Sequence, residues 1–319
     1  MQGVHAAVLH ALGTAPVYEP FAEPAAGPGQ LVVEVSAAGV NPVDVRKASG
    51  TFVSGPPPLP SVVGSEGVGR IAGDGRRVYF GGSVAPFGAF AERTLVGEGE
   101  PIELPDGLDD GLAVTLGVSG LAAWLPLAWR AALRPGETVL VLGATGIVGQ
   151  LAVQAARLLG AGRVVAAGRD AEMLERARTL GADATVDLGA SDSREALTQA
   201  FREAADGDID VVHDPLWGAP AAAALEALAV DGRLVQLGQS AGADATFSSV
   251  AIRGRHLSVL GYMNYLVPRD VLRNAYRALV EHAVAGRLAV EVERLPLAQV
   301  GEAWERVQRS AHRKLVLVP

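Results

Sequence analysis

Eleven residues restrict this chain more than any other stretch: Val139-Leu140-Val141-Leu142-Gly143-Ala144-Thr145-Gly146-Ile147-Val148-Gly149. An apolar run of buried-strand length passes, through glycines three apart, into helix formers that stop at Gly160. Gly143 suits a tight turn, and Gly149 suits close packing of helix on strand. Gly146 lets bare backbone approach an anion. The helix start adds unpaired N–H groups and a positive dipole end. Gly143, Ala144, Thr145, Gly146, Ile147 and Val148 are therefore a candidate pyrophosphate cradle, with Thr145 where the usual G-x-G-x-x-G has its second glycine. A glycine-rich turn without ligand is the alternative. Its place in a run of β-α units argues against that.

That run has six apolar segments, at 138–142, 163–167, 184–188, 209–213, 233–237 and 257–262, mostly separated by alanine- and leucine-rich stretches of helical length. Strands this apolar belong to a parallel sheet covered on both faces. The expected fold class is α/β, with a doubly wound dinucleotide-binding sheet. Upstream of residue 113 the texture differs. Short β-branched runs (Leu31–Val35, Val62-Val63, Val78–Phe80, Thr94–Val96) alternate with Gly/Pro turns, which suggests a small antiparallel barrel or sandwich. After residue 267 come a helix over 269–286, a strand-like Ala289–Val292, a helix near 297–310 and a terminal strand Lys314–Val318.

Composition excludes several chemistries. There is no cysteine, hence no disulfide, thiol catalysis or thiolate zinc site. Lys47 and Lys314 are the only lysines, so neither a Gly-Lys-Ser/Thr phosphate loop nor a Tyr-x-x-x-Lys pair can be written. The net charge of −8 argues against a nucleic-acid partner. The start, Met1 to His5, lacks the basic patch of a secretory signal, and the window Ala113–Trp129 reads as too interrupted and too short to span a membrane. No membrane association and a cytoplasmic location are the expectation.

The second strand ends in Gly168 and Arg169. Glycine leaves room there, and arginine offers a planar cation suited to a ribose 2′-phosphate, which favours NADPH. Asp170, one residue on, is the alternative partner for a ribose hydroxyl if the strand ends later. Gly238-Gln239-Ser240-Ala241-Gly242 fits the nucleophile elbow of a serine hydrolase, although Ala243–Phe247 is a poor helix opening. His213, at a strand end, reads as a lone buried histidine.

The chain resembles the zinc-free quinone oxidoreductase branch of the medium-chain dehydrogenase/reductase superfamily. The likeness rests on Ala38–Asp44, Gly64–Gly69, Gly117–Trp124, the glycine turn, Asp214-Pro215, Gly232–Val235 and Lys314–Leu317. It implies a GroES-like β-barrel domain from residues 1–112 and 268–319, a Rossmann domain from 113–267, an active site in the cleft, and a homodimer. It implies hydride transfer from NADPH to a small-molecule quinone or other enone. In zinc-dependent relatives a cysteine sits near Asn41 and a histidine follows Gly64; here Ser65 follows, so no metal is expected. Asn41 and Asp44 would line the cleft, and backbone at Leu237, Gly238, Gln239, Tyr262, Met263 and Asn264 would approach the cofactor. Departures are the short segment Ile71–Val78, and Glu172 and Leu188 where relatives carry a lysine and a tyrosine. Asn41, Tyr262 and Tyr265 are the candidates for polarising the acceptor carbonyl, while Asp44 reads as a loop-holding residue. An enoyl reductase of thioester or polyketide intermediates and a non-catalytic NADPH-binding protein are the remaining alternatives.

Overall fold

The computed structural model describes residues 3–190, 193–309 and 312–319. Two compact units divide it, one of Met1–Val118 with Leu279–Pro319, the other of Ser119–Ala278.

In the second unit, six strands form one sheet in which every pairing is parallel. They are Thr138–Leu142, Arg163–Gly168, Ala184–Asp187, Ile209–Asp214, Leu228–Gln236 and Ser258–Gly261, in the spatial order third, second, first, fourth, fifth, sixth. The strand order reverses at the first strand, which lies between the second and the fourth. Val139, Leu140, Val141 and Leu142 have no exposed surface, so both faces of this central strand are covered. That is why it lacks the polar–apolar alternation of a half-exposed strand. On one face Leu140, Leu142, Val165 and Val212 share a core with Leu197 and Phe201 of the helix Arg194–Ala205 and Ala221 of the helix Gly218–Glu226. Each such large apolar side chain contributes about 1.5–3 kcal/mol by leaving water.

The first unit is antiparallel except for one pair. Gln30–Gly39 is its central strand, bonded to Gly67–Ile71, Arg93–Gly97 and the C-terminal strand Lys314–Val318. Lys314–Val318 pairs in parallel with Val292–Pro296 on its other side. A three-stranded sheet, Val17–Phe21, Val4–Leu9 and Ser61–Val62, completes the unit. Phe80, Phe90 and Leu317 are fully buried in its core.

Two local expectations change. The strand expected at 289–292 is displaced to Val292–Pro296. The helix expected near 297–310 opens as a 3-10 turn, Leu297–Gln299, and becomes α-helical over Val300–Gln308; residue 310 lies outside the described residues, as do Met1 and Gln2. Asp110–Arg130, 21 residues, passes a length-and-hydropathy test for crossing a membrane, but the non-helical backbone at Gly117 (φ −68°, ψ −109°) divides it into two helical stretches, an interruption of the kind expected, and Pro126 opens a wider helical turn. Of its most apolar window 78% is buried, which is how a core helix carries such a sequence.

Candidate functional site

The glycine turn joins the central strand to the helix Ile147–Leu158. Gly143 has φ +62°, a conformation open to glycine at little cost. Its carbonyl accepts from Gly146 N–H at 3.1 Å, and Ala144 N–H donates to Ala167 O at 2.9 Å, which ties the turn to the second strand. A Cβ on Gly149 would overlap the Gly143 carbonyl and the Ala144 Cα, so this glycine is required for the helix to sit on the turn. Gly146 is different. A Cβ there would meet nothing nearer than the Gly143 oxygen at 3.6 Å, so the protein's own packing does not require glycine. Gly146 is also the helix N-cap and no side chain caps it. Space over bare backbone, facing the open end of a 12-residue helix, is what an oxygen-rich anion needs.

The end of the fourth strand also meets this turn. Pro215 and Leu216, after the fourth strand, pack against the position of Gly143. Asp214 shapes their turn: its Oδ1 accepts from Leu216 N–H (2.9 Å) and Trp217 N–H (2.8 Å). Leu237 N–H donates to Asp214 O, and Gly238 passes so close to the Pro215 carbonyl that a Cβ would collide with it. Gln239 is exposed beyond. The nucleophile elbow is not built. Ser240 is exposed, its Oγ donates to Pro215 O at 3.3 Å, and the next helix begins only at Ser249. The serine hydrolase alternative is thereby removed.

Asp214 and its neighbour His213 are both fully buried. His213 Nε2 lies 2.9 Å from Ala122 O, so Nε2 carries the proton and donates. Nδ1 and Asp214 Oδ2 are buried without partners among the described residues. Burial pushes the imidazole down to about 4 and the carboxyl up to about 6. The signs oppose. The depressed histidine stabilises the fold above pH 6.5 and loses that contribution as pH falls towards 4. The raised carboxyl has its full contribution below 3.8 and loses it as pH rises through 6. Each shift corresponds to about 3 kcal/mol. His213→Leu is thus expected to unmask the aspartate: relative to wild type, the variant loses stability as pH rises from 4 to 6.5. Urea midpoints across that range measure it, and parallel curves would contradict it.

Gly168 closes the second strand, and a Cβ there would strike the Thr145 side chain. Arg169 follows, exposed. Asp170 is the N-cap of the helix Ala171–Thr179, its Oδ1 accepting from Met173 N–H at 3.0 Å. The strand therefore ends before Asp170, and the cap employs its carboxylate. Beyond the sixth strand Tyr262 is buried, its hydroxyl 2.7 Å from Asn264 Oδ1 and 3.3 Å from Leu121 O. Both neighbours are acceptors, so the phenol proton is already engaged. Burial raises its pKa. Met263 precedes the 3-10 turn Asn264–Leu266, on which Tyr265 is exposed.

Asn41 belongs to the first unit, where it caps the helix Pro42–Ala48. Its backbone N–H donates to Asp44 Oδ2 at 2.8 Å. Asp44 thus holds the loop, as its sequence context suggests. Both protons of the Asn41 amide are engaged, one on Gly39 O (2.9 Å) and one on Glu66 Oε1 (2.8 Å), while Oδ1 accepts from Lys314 Nζ at 2.6 Å. Hydrogen-bonding a substrate oxygen from this amide would require breaking one of those bonds. Around it lies a buried charge cluster. Lys314 Nζ stands 3.2 Å from Glu66 Oε1, with side chains 2% and 0% exposed. Glu66 Oε2 accepts from Val118 N–H (2.6 Å) and the Tyr79 hydroxyl (3.2 Å). A Cβ at Gly117 would strike both Glu66 Oε2 and the Tyr79 hydroxyl, which accounts for glycine at the break in the helix.

Residues 27–106 match the family described as alcohol dehydrogenase GroES-like domain, and residues 148–284 the one described as zinc-binding dehydrogenase. A quinone oxidoreductase of Pseudomonas aeruginosa is 34% identical over 233 residues, 70% of this chain and 69% of that protein. The chain belongs to the quinone oxidoreductase branch of the medium-chain dehydrogenase/reductase superfamily. The solved quinone oxidoreductase of Thermus thermophilus, described together with its NADPH complex, superposes with a TM-score of 0.83 at 30% identity, covering 99% of this chain and 100% of that one. A phenolphthiocerol/phthiocerol polyketide synthase of Mycobacterium tuberculosis is 32% identical over 91% of this chain. The chain spans only 13% of that synthase.

Within this superfamily the first unit is the GroES-like domain and the second the parallel-sheet nucleotide-binding domain. The sequence motifs at Gly39–Asp44, Gly64–Gly69, Gly117-Val118 and Lys314 prove to be one cluster. Sequence reading missed Glu66, Tyr79 and Lys314 as a group. The available signal was a lysine inside the apolar strand Lys314–Val318, which demands a buried partner. Among the described residues no group of three or more His, Cys, Asp or Glu side chains is placed to hold a metal ion.

Proposed function

We propose that this chain is an NADPH-dependent, zinc-independent reductase that delivers hydride to a small quinone or another α,β-unsaturated carbonyl. One observation carries the reading: the backbone cradle over Gly146, where a Cβ finds room that the protein itself does not fill. NADPH, when bound, supplies the hydride. The chain's part is to hold and orient. Gly143 to Val148 would receive the pyrophosphate against N–H groups, and Gly168 would leave space for the adenosine ribose. Arg169 would pair with the 2′-phosphate. Leu237, Gly238, Gln239, Tyr262, Met263 and Asn264 would wall the nicotinamide end. Tyr262 acts there through packing and its bond to Asn264, and Asn41 as a positioning residue. Tyr265, exposed, would reach the acceptor. Zinc independence is supported by Asn41 and Ser65 standing where the zinc-dependent relatives have ligands, and by the commitment of Asn41 to Glu66 and Lys314.

Calorimetry with NADPH and NADH, then turnover with 9,10-phenanthrenequinone and 2-cyclohexen-1-one, tests this. Absence of heat with either nucleotide would end it. Binding without turnover of any acceptor would leave the non-catalytic NADPH-binding alternative in its place. Arg169→Ala is expected to weaken NADPH at least tenfold while changing NADH less than twofold, because only NADPH has the phosphate. Equal losses would contradict the assignment of Arg169. The likeness to part of a polyketide synthase favours a second reading, reduction of an enoyl thioester. Faster turnover of crotonyl-pantetheine than of either free carbonyl would establish it.

A further inference from the structure

The helix that rises from the glycine turn carries two glutamines, Gln150 and Gln154, four residues apart on one face, within a stretch from Gly149 to Ala156 that is buried throughout. Leucine or alanine would fill such positions without polar cost, whereas a buried side-chain amide is tolerated where its groups are bonded. Gln154 turns its amide back one turn, to Gln150 O at 3.1 Å. Gln150, with no exposed surface, reaches further. Its Nε2 donates to Thr145 O at 3.2 Å, and its Oε1 accepts from Arg176 Nε at 3.3 Å. One side chain thus joins the glycine turn to the helix Ala171–Thr179.

Each end of this link bears on one of the two phosphate grips of the second unit. At the first, the peptide between Thr145 and Gly146 is held from both sides: its carbonyl by Gln150, its N–H by Gly143 O at 3.1 Å. That peptide leads into the first N–H groups of the helix Ile147–Leu158, so its plane sets where they point. At the second, Arg176 stands six residues beyond Asp170, the cap of its helix, and Arg169 immediately precedes that cap. A helix is stiff over the intervening distance of about 9 Å, so what holds Arg176 also holds the helix start beside Arg169. The Thr145 side chain closes the ring, because it lies where a Cβ on Gly168 would be.

Resting on the NADPH reading above, we infer that Gln150 and Arg176 are positioning residues for nucleotide choice: through them the backbone cradle sets the place of Arg169, and with it the spacing of the two phosphate groups that the site accepts. Neither residue is assigned a contact with the nucleotide. A pyrophosphate alone uses one end of the link. A nucleotide that also carries a ribose 2′-phosphate must satisfy both ends at once, and a separation fixed before binding spares it the loss of freedom that ordering Arg169 would otherwise cost.

Calorimetry with NADPH and NADH supplies the readout, the ratio of the NADH to the NADPH dissociation constant. A general loss of stability lowers both affinities alike and leaves this ratio where it was. Gln150→Met keeps the volume, the helix preference and the charge of Arg176, and removes both bonds of the link. Arg176→Met leaves the bond to Thr145 in place. Each is expected to lower the ratio about fivefold or more. Gln150→Met is also expected to weaken NADH about threefold, since of the two it alone loosens the cradle. In a chain that already carries Arg169→Ala, Gln150→Met is expected to change the ratio less than about twofold, because no 2′-phosphate grip is left to position.

A wild-type ratio in Gln150→Met, or the same fall of the ratio in the Arg169→Ala chain, overturns the inference and leaves the reductase reading intact. Arg176 is only half-buried, so Arg176→Met provides the test even where Gln150→Met does not fold, and an unchanged ratio in that variant overturns the inference by itself. A ratio unmoved by Arg169→Ala removes the assignment of Arg169 and this inference together. No binding of either nucleotide by wild type ends the reductase reading as well.

Discussion

Gly146→Val is expected to raise the NADPH dissociation constant at least 100-fold while the protein melts within a few degrees of wild type. The two halves have separate causes. The backbone at Gly146 (φ −86°, ψ 168°) is ordinary extended backbone that valine adopts. Its Cβ would have no protein neighbour nearer than 3.6 Å, so folding is spared apart from the weaker helix cap, about 1 kcal/mol. The branched side chain instead fills the space over the helix start and holds an anion away from the N–H groups. Gly149→Val supplies the contrast. Its Cβ would overlap the Gly143 carbonyl, so that variant is expected to lose binding and melting temperature together. Calorimetry with NADPH beside thermal melts separates the two. Undiminished binding in Gly146→Val would remove the cradle from the proposed site.

The parallel sheet was legible because its strands are continuous apolar runs bounded by glycine and separated by helix formers. The six expected segments agree with the observed strands to within a few residues, apart from a fifth strand that begins earlier, at Leu228. The turn at 143–149 was legible for the same local reason. The first unit was less so. Ser61–Val62 is a strand only because it pairs with Val4–Leu9 across more than 50 residues, a relation that no local window contains. The strand at Val292–Pro296 exists because Lys314–Val318 lies alongside it, and that partner moves the strand beyond the apolar run at 289–292. Cluster chemistry was the least visible. Glu66 read as part of a glycine-rich motif and Lys314 as the start of a terminal strand, and only folding shows that one carboxylate gathers an amide, an ammonium, a phenol and a backbone N–H. Conversely, Asn41 and Tyr262 were chosen for polar groups that the fold has already given partners.

That gathered carboxylate leads to the largest expected loss of stability. Lys314→Met keeps the length of the side chain and its apolar stem but removes the ammonium, leaving Glu66 charged, 0% exposed and without its counter-charge. Breaking a buried pair from one side costs about 3–5 kcal/mol, far more than an exposed pair, because the remaining ion can neither reach water nor find a new cation. Asn41 would lose the donor to its Oδ1 at the same time. Adding Glu66→Gln to Lys314→Met removes the orphaned charge while keeping an oxygen able to accept from Val118 N–H. The double variant is therefore expected to recover about 1–2 kcal/mol of the loss, although Glu66→Gln alone destabilises. Urea unfolding of the four proteins closes the cycle. Should Glu66→Gln add its own loss to that of Lys314→Met instead of relieving it, the two residues are not an ion pair in solution. Coupling of the expected sign would show that the C-terminal strand is held in the first unit by charge as well as by its apolar neighbours Leu315 and Leu317, and that the orientation of Asn41 depends on the last six residues of the chain.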